Sequence, residues 1–246
     1  MKNITGITVS HNTKDLLQRA YESVRRYHPE MMIIIVDGSD RSDPCRKYVE
    51  SLSGPFTTLM LCQNNIGHGR GMDMAIRQVK TKYALIFDSD IEMLKSPVEQ
   101  MLAMMEPDTY GVGYIELTGE DGFEYGAHPH HKNEKATRYL HPYFMLLQVS
   151  EYYKFPPFCH HGAPCVHTMT AIKRAGLSDK ILIEFPGLGH TASSGWNWKG
   201  EPREWIRHDT RGTRDVRTKK HLPEIEGNWD YGKSSNPRTG LFTKRV

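Results

Sequence analysis

The sequence predicts an α/β domain whose core is a doubly wound, mostly parallel sheet. Short apolar runs alternate with segments of helical periodicity through the N-terminal part of the chain. The second of these runs, residues 31–36, is apolar throughout, as expected of a parallel strand that is buried on both faces. The chain of 246 residues is long enough to bury one full core, so we expect a single domain, residues 1–246.

The predicted elements alternate between strand and helix as far as residue 117. Apolar or alternating runs predict strands at residues 4–10, 31–36, 59–62, 83–87 and 111–117. Capping residues and helical spacing predict helices at residues 16–24, 45–52, 72–79 and 98–105. Residues 67–71 are expected to form a glycine-rich turn. Beyond residue 117 the periodicity fades: residues 139–153 are aromatic-rich without a predicted element, and the chain from residue 187 onward is expected to be irregular.

The charge of the chain is unevenly distributed. The formal net charge is only +3, but residues 199–246 hold twelve Lys and Arg against seven Asp and Glu. Such a basic tail fits either a solvated surface or a segment that holds phosphates or nucleic acid.

Targeting signals and cysteine spacing indicate a cytoplasmic protein. The N-terminus has no apolar run of signal-peptide length, and no window approaches the ~18 apolar residues of a membrane span. The cysteines form no Cys-x2-Cys pair and have no secretory context, so we expect reduced thiols. These are Cys45, Cys62, Cys159 and Cys165.

Three polar loops follow predicted strands, at residues 10–13, 37–40 and 88–90. Ligands bind beyond the carboxyl ends of the strands in such sheets, so these loops are expected to form one site. Asp88 and Asp90 come directly after a buried strand and must be solvated, paired or coordinated. They suit Mg²⁺ or Mn²⁺, which take carboxylate oxygens together with substrate phosphate oxygens, although an ordinary exposed turn also fits the pattern.

Two further segments have the composition of a nucleotide site. Asp37 ends the second strand, where an acid accepts hydrogen bonds from a nucleobase or ribose, or simply forms a turn. Residues 65–71 place glycines where a backbone can approach a ligand closely, and Arg70 within them is suited to a phosphate or a base. The segment lacks the Lys-Ser/Thr of a P-loop and the glycine spacing of a dinucleotide fingerprint.

Taken in their order along the chain, these strands and loops resemble those of family 2 glycosyltransferases of the GT-A fold. Residues 7–12 with Leu16 and Leu17 look like that family's first strand and donor loop. Residues 34–40 look like its second strand and the loop that follows it. Residues 64–76 resemble its glycine-rich segment, and residues 83–90 resemble its strand with a metal-binding Asp-x-Asp. The resemblance covers residues 4–94 and implies a nucleotide-sugar half at residues 1–95, followed by an acceptor half at 96–190 and a basic irregular tail at 191–246.

The resemblance also implies an activity and a set of site residues. The activity is metal-dependent, inverting transfer of a sugar from a nucleoside diphosphate sugar, here a UDP-sugar, with Mn²⁺ or Mg²⁺ as cofactor. The implied donor-binding residues are Ser10, Asn12, Asp37, Asn65, Gly67, Arg70, Asp88 and Ser89. The implied metal ligands are Asp88, Asp90 and His190, which looks like the late histidine that completes the metal shell in some GT-A enzymes.

The second half departs from the family pattern. Many relatives carry a Glu-Asp pair after a Gly-Gly-Phe segment, whereas this chain has Asp179 and then Glu184. These two acids are our candidates for the general base, with a plain surface role as the alternative. His160 and His161, with Cys159, Cys165 and His167, could also suggest zinc, but their spacing matches no closed four-ligand pattern, and such residues often serve packing. Trp196, Trp198 and Trp205 fit either stacking on a ligand or core packing.

The acceptor is left open by the sequence. Without a membrane segment, a soluble acceptor such as a protein, a saccharide or a nucleic acid is favoured. A compact chain with a basic tail also fits virus-encoded enzymes that glycosylate hydroxymethylated DNA bases, for which binding would depend strongly on salt. The alternatives to sugar transfer are a nucleotidyltransferase of related fold and a non-catalytic module that binds sugar nucleotides or DNA.

Overall fold

The computed structural model describes residues 2–120, 122, 136–160, 162–189 and 205–208. Its strands are β1 Ile4–Ser10, β2 Met32–Asp37, β3 Thr57–Leu61, β4 Tyr83–Phe87, β5 Ile91–Met93, β6 Gly111–Thr118, β7 Thr137–Gln148, β8 Leu182–Glu184 and β9 Ile206–His208. Its helices are α1 Lys14–Tyr27, α2 Pro44–Ser51, α3 His68–Ile76, α4 Val98–Ala103, α5 Val149–Tyr152, α6 Val166–Arg174 and α7 Ser178–Ile181.

A seven-stranded sheet organises the described part of the chain, in the order β3-β2-β1-β4-β7-β6-β8. Strand β1 pairs in parallel with both β2 and β4, and β2 pairs in parallel with β3. Strand β8 is also parallel to its neighbour β6. The mostly parallel α/β sheet predicted from the sequence is therefore confirmed, and each predicted strand and helix up to residue 117 has a counterpart.

Helices cover both faces of this sheet because side chains alternate along each strand. On one face, Ile34 and Val36 of β2 belong to a buried cluster with residues of α3 and α6. On the other, Ile33 and Ile35 belong to a second cluster with residues of α1, α2 and α4. A strand with both faces buried reads as a continuous apolar run, which is why residues 31–36 were recognisable in the sequence.

The aromatic-rich segment after residue 136 contains a strand that the sequence pattern does not predict. Strand β7 runs antiparallel to both β4 and β6, between which it lies. Its residues from Tyr143 to Gln148 are all buried, so they show no alternation of polar and apolar positions. The register of β6 against β7 also shifts between Gly113 and Ile115. Periodicity could not reveal such a strand, because neither face is exposed to water.

Helix α3 begins at His68, inside the segment predicted to be a turn. The turn is confined to Gly67, whose φ is +84°, a value that favours glycine. The next two glycines serve close packing within the helix. A Cβ on Gly69 would lie 2.5 Å from the carbonyl oxygen of His160, and one on Gly71 would lie 2.8 Å from Val9 Cγ1.

A short strand also occurs in the tail that was expected to be irregular. Strand β9 pairs antiparallel with β5, with Ile91 opposite His208. Trp205, just before β9, packs edge-to-face on Phe185, and its carbonyl accepts the backbone N–H of Leu94 at 2.8 Å. This part of the tail is thereby attached beside the end of β4. Across the described ranges, no helix has the length and hydropathy that crossing a bilayer requires.

Candidate active site

The first two polar loops adjoin because β1 and β2 end side by side. Ser10 and Asp37 are the last residues of these strands and are direct partners in the parallel register. The backbone N–H of Gly38 donates to the Ser10 carbonyl at 3.0 Å. Parallel strands end at the same edge of a sheet, so the strand order alone brings these loops together.

Asp37 is fully buried, and its carboxylate is engaged within the protein. Ser10 Oγ and Ser39 Oγ donate to Asp37 Oδ1 at 2.8 and 2.6 Å. Arg46 Nε lies 3.1 Å from Asp37 Oδ2, and the Arg46 guanidinium also donates to the Ser39 carbonyl at 2.7 Å. A buried carboxylate requires such partners. Asp37 therefore holds the loop in shape, and its contact with a nucleobase or ribose stays a prediction.

Asn12 links the first polar loop to the second. Its φ is 56°, in the left-handed region that Asn tolerates better than most residues. Its side chain pairs with Asp40 in both directions: Nδ2 donates to Oδ2 at 2.9 Å, and Oδ1 accepts the Asp40 N–H at 3.0 Å. The Asn12 N–H donates to Ser39 Oγ at 2.8 Å. The predicted contact of Ser10 and Asn12 with a donor would thus be made by a preformed double loop.

The glycine-rich segment packs against this double loop. The Gly67 N–H donates to Asn65 Oδ1 at 2.9 Å, which closes the turn that starts α3. A Cβ on Gly38 would lie 2.9 Å from Asn65 Cα, so the two backbones approach as closely as only glycine allows. Arg70 is exposed in the first turn of α3. Its predicted role at a phosphate remains a prediction.

Three side chains that can hold a metal ion meet where β4 leaves the core. One ligand atom each from Asp88, Asp90 and His208 lies within 4.8 Å of the others. His208 Nε2 is 3.6 Å from Asp88 Oδ2 and 3.3 Å from Asp90 Oδ1. The side chains of Asp88, Asp90 and His208 are only 18%, 9% and 6% exposed to solvent. Ser89 between the two acids is also buried.

This donor set fits a divalent cation. Two carboxylates taken largely out of water need compensating positive charge. Carboxylate oxygens suit Mg²⁺ and Mn²⁺, and a neutral imidazole nitrogen is a further ligand that transition metals accept. The fit rests on the side chains that the fold brings together, and the metal role of Asp88 and Asp90 stays a prediction.

The histidine in this cluster is not the one predicted from the sequence. His190, the predicted third ligand, lies outside the described residues. His208 reaches the two acids because its strand β9 pairs with β5, directly after them. The sequence signal was weak: a three-residue alternation, Ile206-Arg207-His208, within a stretch assigned as irregular.

A second histidine that the sequence pattern does not indicate contacts the site from α3. His68 Nε2 lies 3.2 Å from Asp88 Oδ1, so Asp88 stands between His68 and His208. Burial lowers the pKa of His68, but the charge of Asp88, its hydrogen bond and the charge of Asp90 together raise that pKa above its ordinary value. The raised pKa reports how strongly negative the surroundings of Asp88 and Asp90 are.

The two candidate general bases lie in the second half of the described chain. Asp179 is in α7 with an exposed side chain, 3.3 Å from Arg138 Nε. Glu184 is exposed and ends β8, the edge strand of the sheet. Strand β8 is three strands away from β4, or about 14 Å at the usual strand spacing. A catalytic role for either acid remains a prediction.

Curated relatives match part of the chain. Beta-1,4 N-acetylgalactosaminyltransferase 1 of Homo sapiens is 29% identical over 120 residues, and the mouse protein of that name is 30% identical over 124 residues. Each match covers 47% of this chain and 21% of the relative. The chain thus spans about a fifth of the length of these relatives.

Solved structures share the fold over a larger part of the chain. The mannosyltransferase PcManGT from Pyrobaculum calidifontis, in complex with GDP-Man and Mn²⁺, matches with a TM-score of 0.54 and 18% identity, covering 75% of this chain and 55% of that one. TarS 1-349 from S. aureus matches with a TM-score of 0.54 and 13% identity, covering 87% and 63%. At these identities the likeness concerns the fold, which is GT-A.

The family model of glycosyl transferase family 2 matches residues 6–169. This region begins in β1, contains the three polar loops and the Asp-x-Asp segment, and extends into α6. Because it covers about two thirds of the 246 residues, the chain belongs to glycosyl transferase family 2.

Proposed function

We propose that this protein is a metal-dependent glycosyltransferase that moves a sugar from a nucleoside diphosphate sugar to an acceptor hydroxyl. The observation that carries the proposal is the meeting of Asp88, Asp90 and His208 at the end of β4 in a family 2 fold. The similar mannosyltransferase structure, which holds GDP-Man and Mn²⁺, supports a cation and a nucleotide sugar as the ligands. Family membership favours sugar transfer over the nucleotidyltransferase alternative.

The donor that we propose is a UDP-sugar, and UDP-N-acetylgalactosamine is the first one to test. The support is the similarity to the N-acetylgalactosaminyltransferases, which is confined to 47% of the chain. The double loop around Asp37 and Asn12 would receive the nucleoside. Arg70 and the N-terminus of α3 would face the diphosphate, because helix N-termini and guanidinium groups both favour anions.

Asp88, Asp90 and His208 would hold the cation, which when bound neutralises the negative charge that develops on the leaving diphosphate. In an inverting transfer the acceptor oxygen forms a bond to the anomeric carbon while the bond from that carbon to the diphosphate breaks. The acceptor proton passes to a general base, for which Glu184 and Asp179 remain our candidates. His68 would position Asp88 through their 3.2 Å contact.

The acceptor that we propose is a soluble saccharide, protein or nucleic acid. Among these, DNA with hydroxymethylated bases is a polyanion, and the twelve Lys and Arg among residues 199–246 support it as an acceptor. It is tested by measuring affinity for hydroxymethylated duplex DNA between low and moderate salt. A steep fall supports a DNA acceptor, whereas no binding or unchanged affinity counts against it.

Turnover of nucleotide sugars tests the proposal directly. The purified chain is incubated with a panel of UDP- and GDP-sugars, with Mn²⁺ or with chelator, and nucleoside diphosphate release is measured. We expect Mn²⁺-dependent release that falls at least about a hundredfold in Asp90→Ala, since a cation contributes several kcal/mol to the transition state. Asp108→Ala, an exposed acid outside the cluster, is the control. Equal turnover in Asp90→Ala and the wild type would refute the metal assignment, and donor binding without turnover would indicate the non-catalytic alternative.

A further inference from the structure

A second group of metal-ligating side chains lies apart from the Asp-x-Asp cluster. One ligand atom each from Cys159, His160 and His167 lies within 4.8 Å of the others. Cys159 and His160 belong to the segment before α6, and His167 is in the first turn of that helix. All three residues are half-buried. The sequence showed these residue types, but its spacing gave no reason to expect their atoms to converge.

The three side chains of this group contact one another closely enough to share an ion. His160 Nε2 lies 3.0 Å from His167 Nε2, and Cys159 Sγ lies 3.6 Å from the other ring nitrogen, His167 Nδ1, so only one of these two nitrogens would bind a shared ion. In a tetrahedral zinc site, with Zn–N near 2.0–2.1 Å and Zn–S near 2.3 Å, neighbouring ligand atoms are about 3.3–3.6 Å apart. The two imidazole rings are perpendicular, at 89°, and therefore do not stack on each other. The three ligand atoms lie within 4.8 Å of one another, and they would draw together from these contacts to surround one ion.

From this geometry we infer that Cys159, His160 and His167 form a zinc-binding site separate from the catalytic cation. A thiolate with imidazoles is a soft to borderline donor set that selects Zn²⁺ over Mg²⁺ or Mn²⁺, whereas the carboxylate-rich Asp88 and Asp90 select the harder ions. Three protein ligands leave a fourth tetrahedral position for water or another ligand.

The protonation states of the three side chains agree with this assignment. Burial, the neighbouring His167 and the charge of Arg70 lower the pKa of His160 to about 4, and burial likewise lowers the pKa of His167. Both imidazoles therefore keep a lone pair at neutral pH. Burial raises the pKa of Cys159 to about 11, so the thiol is protonated without metal. Zn²⁺ binding forms the Zn–S bond and releases the thiol proton to solvent.

A bound ion would link the segment before α6 to α6 itself, and this segment also contacts α3, the helix that borders the donor site. The Gly69 N–H donates to the His160 carbonyl at 2.8 Å, so this segment already rests on the first turn of α3. That turn also carries His68, which contacts Asp88, and the exposed Arg70. A bound zinc ion would fix His160, and with it the position of α3, by cross-linking the segment to His167.

Cobalt substitution in the metal-free full chain tests the inference without using enzyme activity. Co²⁺ bound by a thiolate gives a charge-transfer band that carboxylate and imidazole ligands do not give. We expect about one equivalent of Co²⁺ to produce this band and Zn²⁺ to abolish it by displacement. The band should persist in Asp90→Ala, which separates this site from the catalytic cation and makes its failure distinguishable from failure of the proposed function.

Variants of the three ligands complete the test. Cys159→Ser should remove the band, while Cys62→Ser, which changes another half-buried cysteine, should leave it unchanged. His167→Asn and His160→Asn should each weaken Zn²⁺ affinity at least about tenfold, measured by competition with a chromophoric chelator. Circular dichroism of each variant verifies folding, and the histidine variants decide the matter if Cys159→Ser does not fold. A missing band in the wild type, as for a simple hydrogen-bonded Cys159–His167–His160 chain, or a band retained in Cys159→Ser, overturns the inference.

Discussion

The imidazole of His208 stacks face to face on the ring of Tyr143, with centroids 4.7 Å apart and planes 4° apart. Tyr143 lies in β7, whereas His208 lies in β9 of the separate two-stranded sheet. The Tyr143 carbonyl also accepts the backbone N–H of Asp88 at 2.9 Å. One residue of the central sheet therefore positions two members of the Asp88, Asp90 and His208 cluster.

Replacing His208 by Ala should weaken Mn²⁺ binding at least about tenfold, because it removes a ligand at a site that has few. Mn²⁺ affinity is measured from the electron paramagnetic resonance signal of the free ion. His141→Ala is a matched control, since that ring lies 6.4 Å from the His208 ring and is not among the clustered ligands. Unchanged Mn²⁺ affinity in His208→Ala would remove His208 from the metal site.

Replacing Tyr143 by Leu should weaken Mn²⁺ binding by a smaller factor than replacing His208, since the ligand is kept but loses the aromatic face that orients it. Tyr143→Phe retains the ring and should bind Mn²⁺ nearly as well as the wild type. The variant lacks only the hydroxyl that donates to the Gly189 carbonyl at 3.3 Å. If Phe and Leu lower the affinity equally, the stacking has no part in positioning His208.

Replacing Gly69 by Ala should destabilise the fold by about 1–3 kcal/mol, the usual cost of forcing a group into a packed site. The added Cβ would lie 2.5 Å from the His160 carbonyl oxygen and 2.7 Å from the Cys159 nitrogen, and both are backbone atoms. Helix propensity alone predicts the reverse, a gain of about 0.8–1.0 kcal/mol. Urea unfolding gives the sign. Gly54→Ala, whose Cβ would meet only one atom at 3.9 Å, should be nearly neutral.

Replacing Arg46 by Met should cost about 3–5 kcal/mol, because Asp37 would be left buried without its ion partner. The double variant with Asp37→Asn should recover part of that loss, since no uncompensated charge remains. Lys47→Met, the exposed neighbour in α2, serves as the control and should lie within about 0.5 kcal/mol of the wild type. Denaturant unfolding of the four proteins measures this. A small loss in Arg46→Met would mean that Asp37 is stabilised by other groups.

The sequence was sufficient where local pattern and site coincide. Residues 31–36 and 83–87 are apolar runs that end in acids, so both the strands and the loops beyond them were predictable. Because β1 and β2 are parallel neighbours, their last residues, Ser10 and Asp37, lie side by side. The sequence failed where a strand shows no alternation, as in β7, or is too short to show a pattern, as in β9.

The sequence by itself determined the β-α alternation, the family resemblance and the position of the acids Asp88 and Asp90 at a strand end. Each of these depends only on residues that are close together along the chain. Tertiary structure alone decided which histidines join those acids and that Cys159, His160 and His167 converge. His208 reaches Asp90 through a three-residue strand pairing, and His68 reaches Asp88 because Gly69 and Gly71 let α3 pack closely. Such contacts between distant segments are set by packing and leave no periodic signal in the chain.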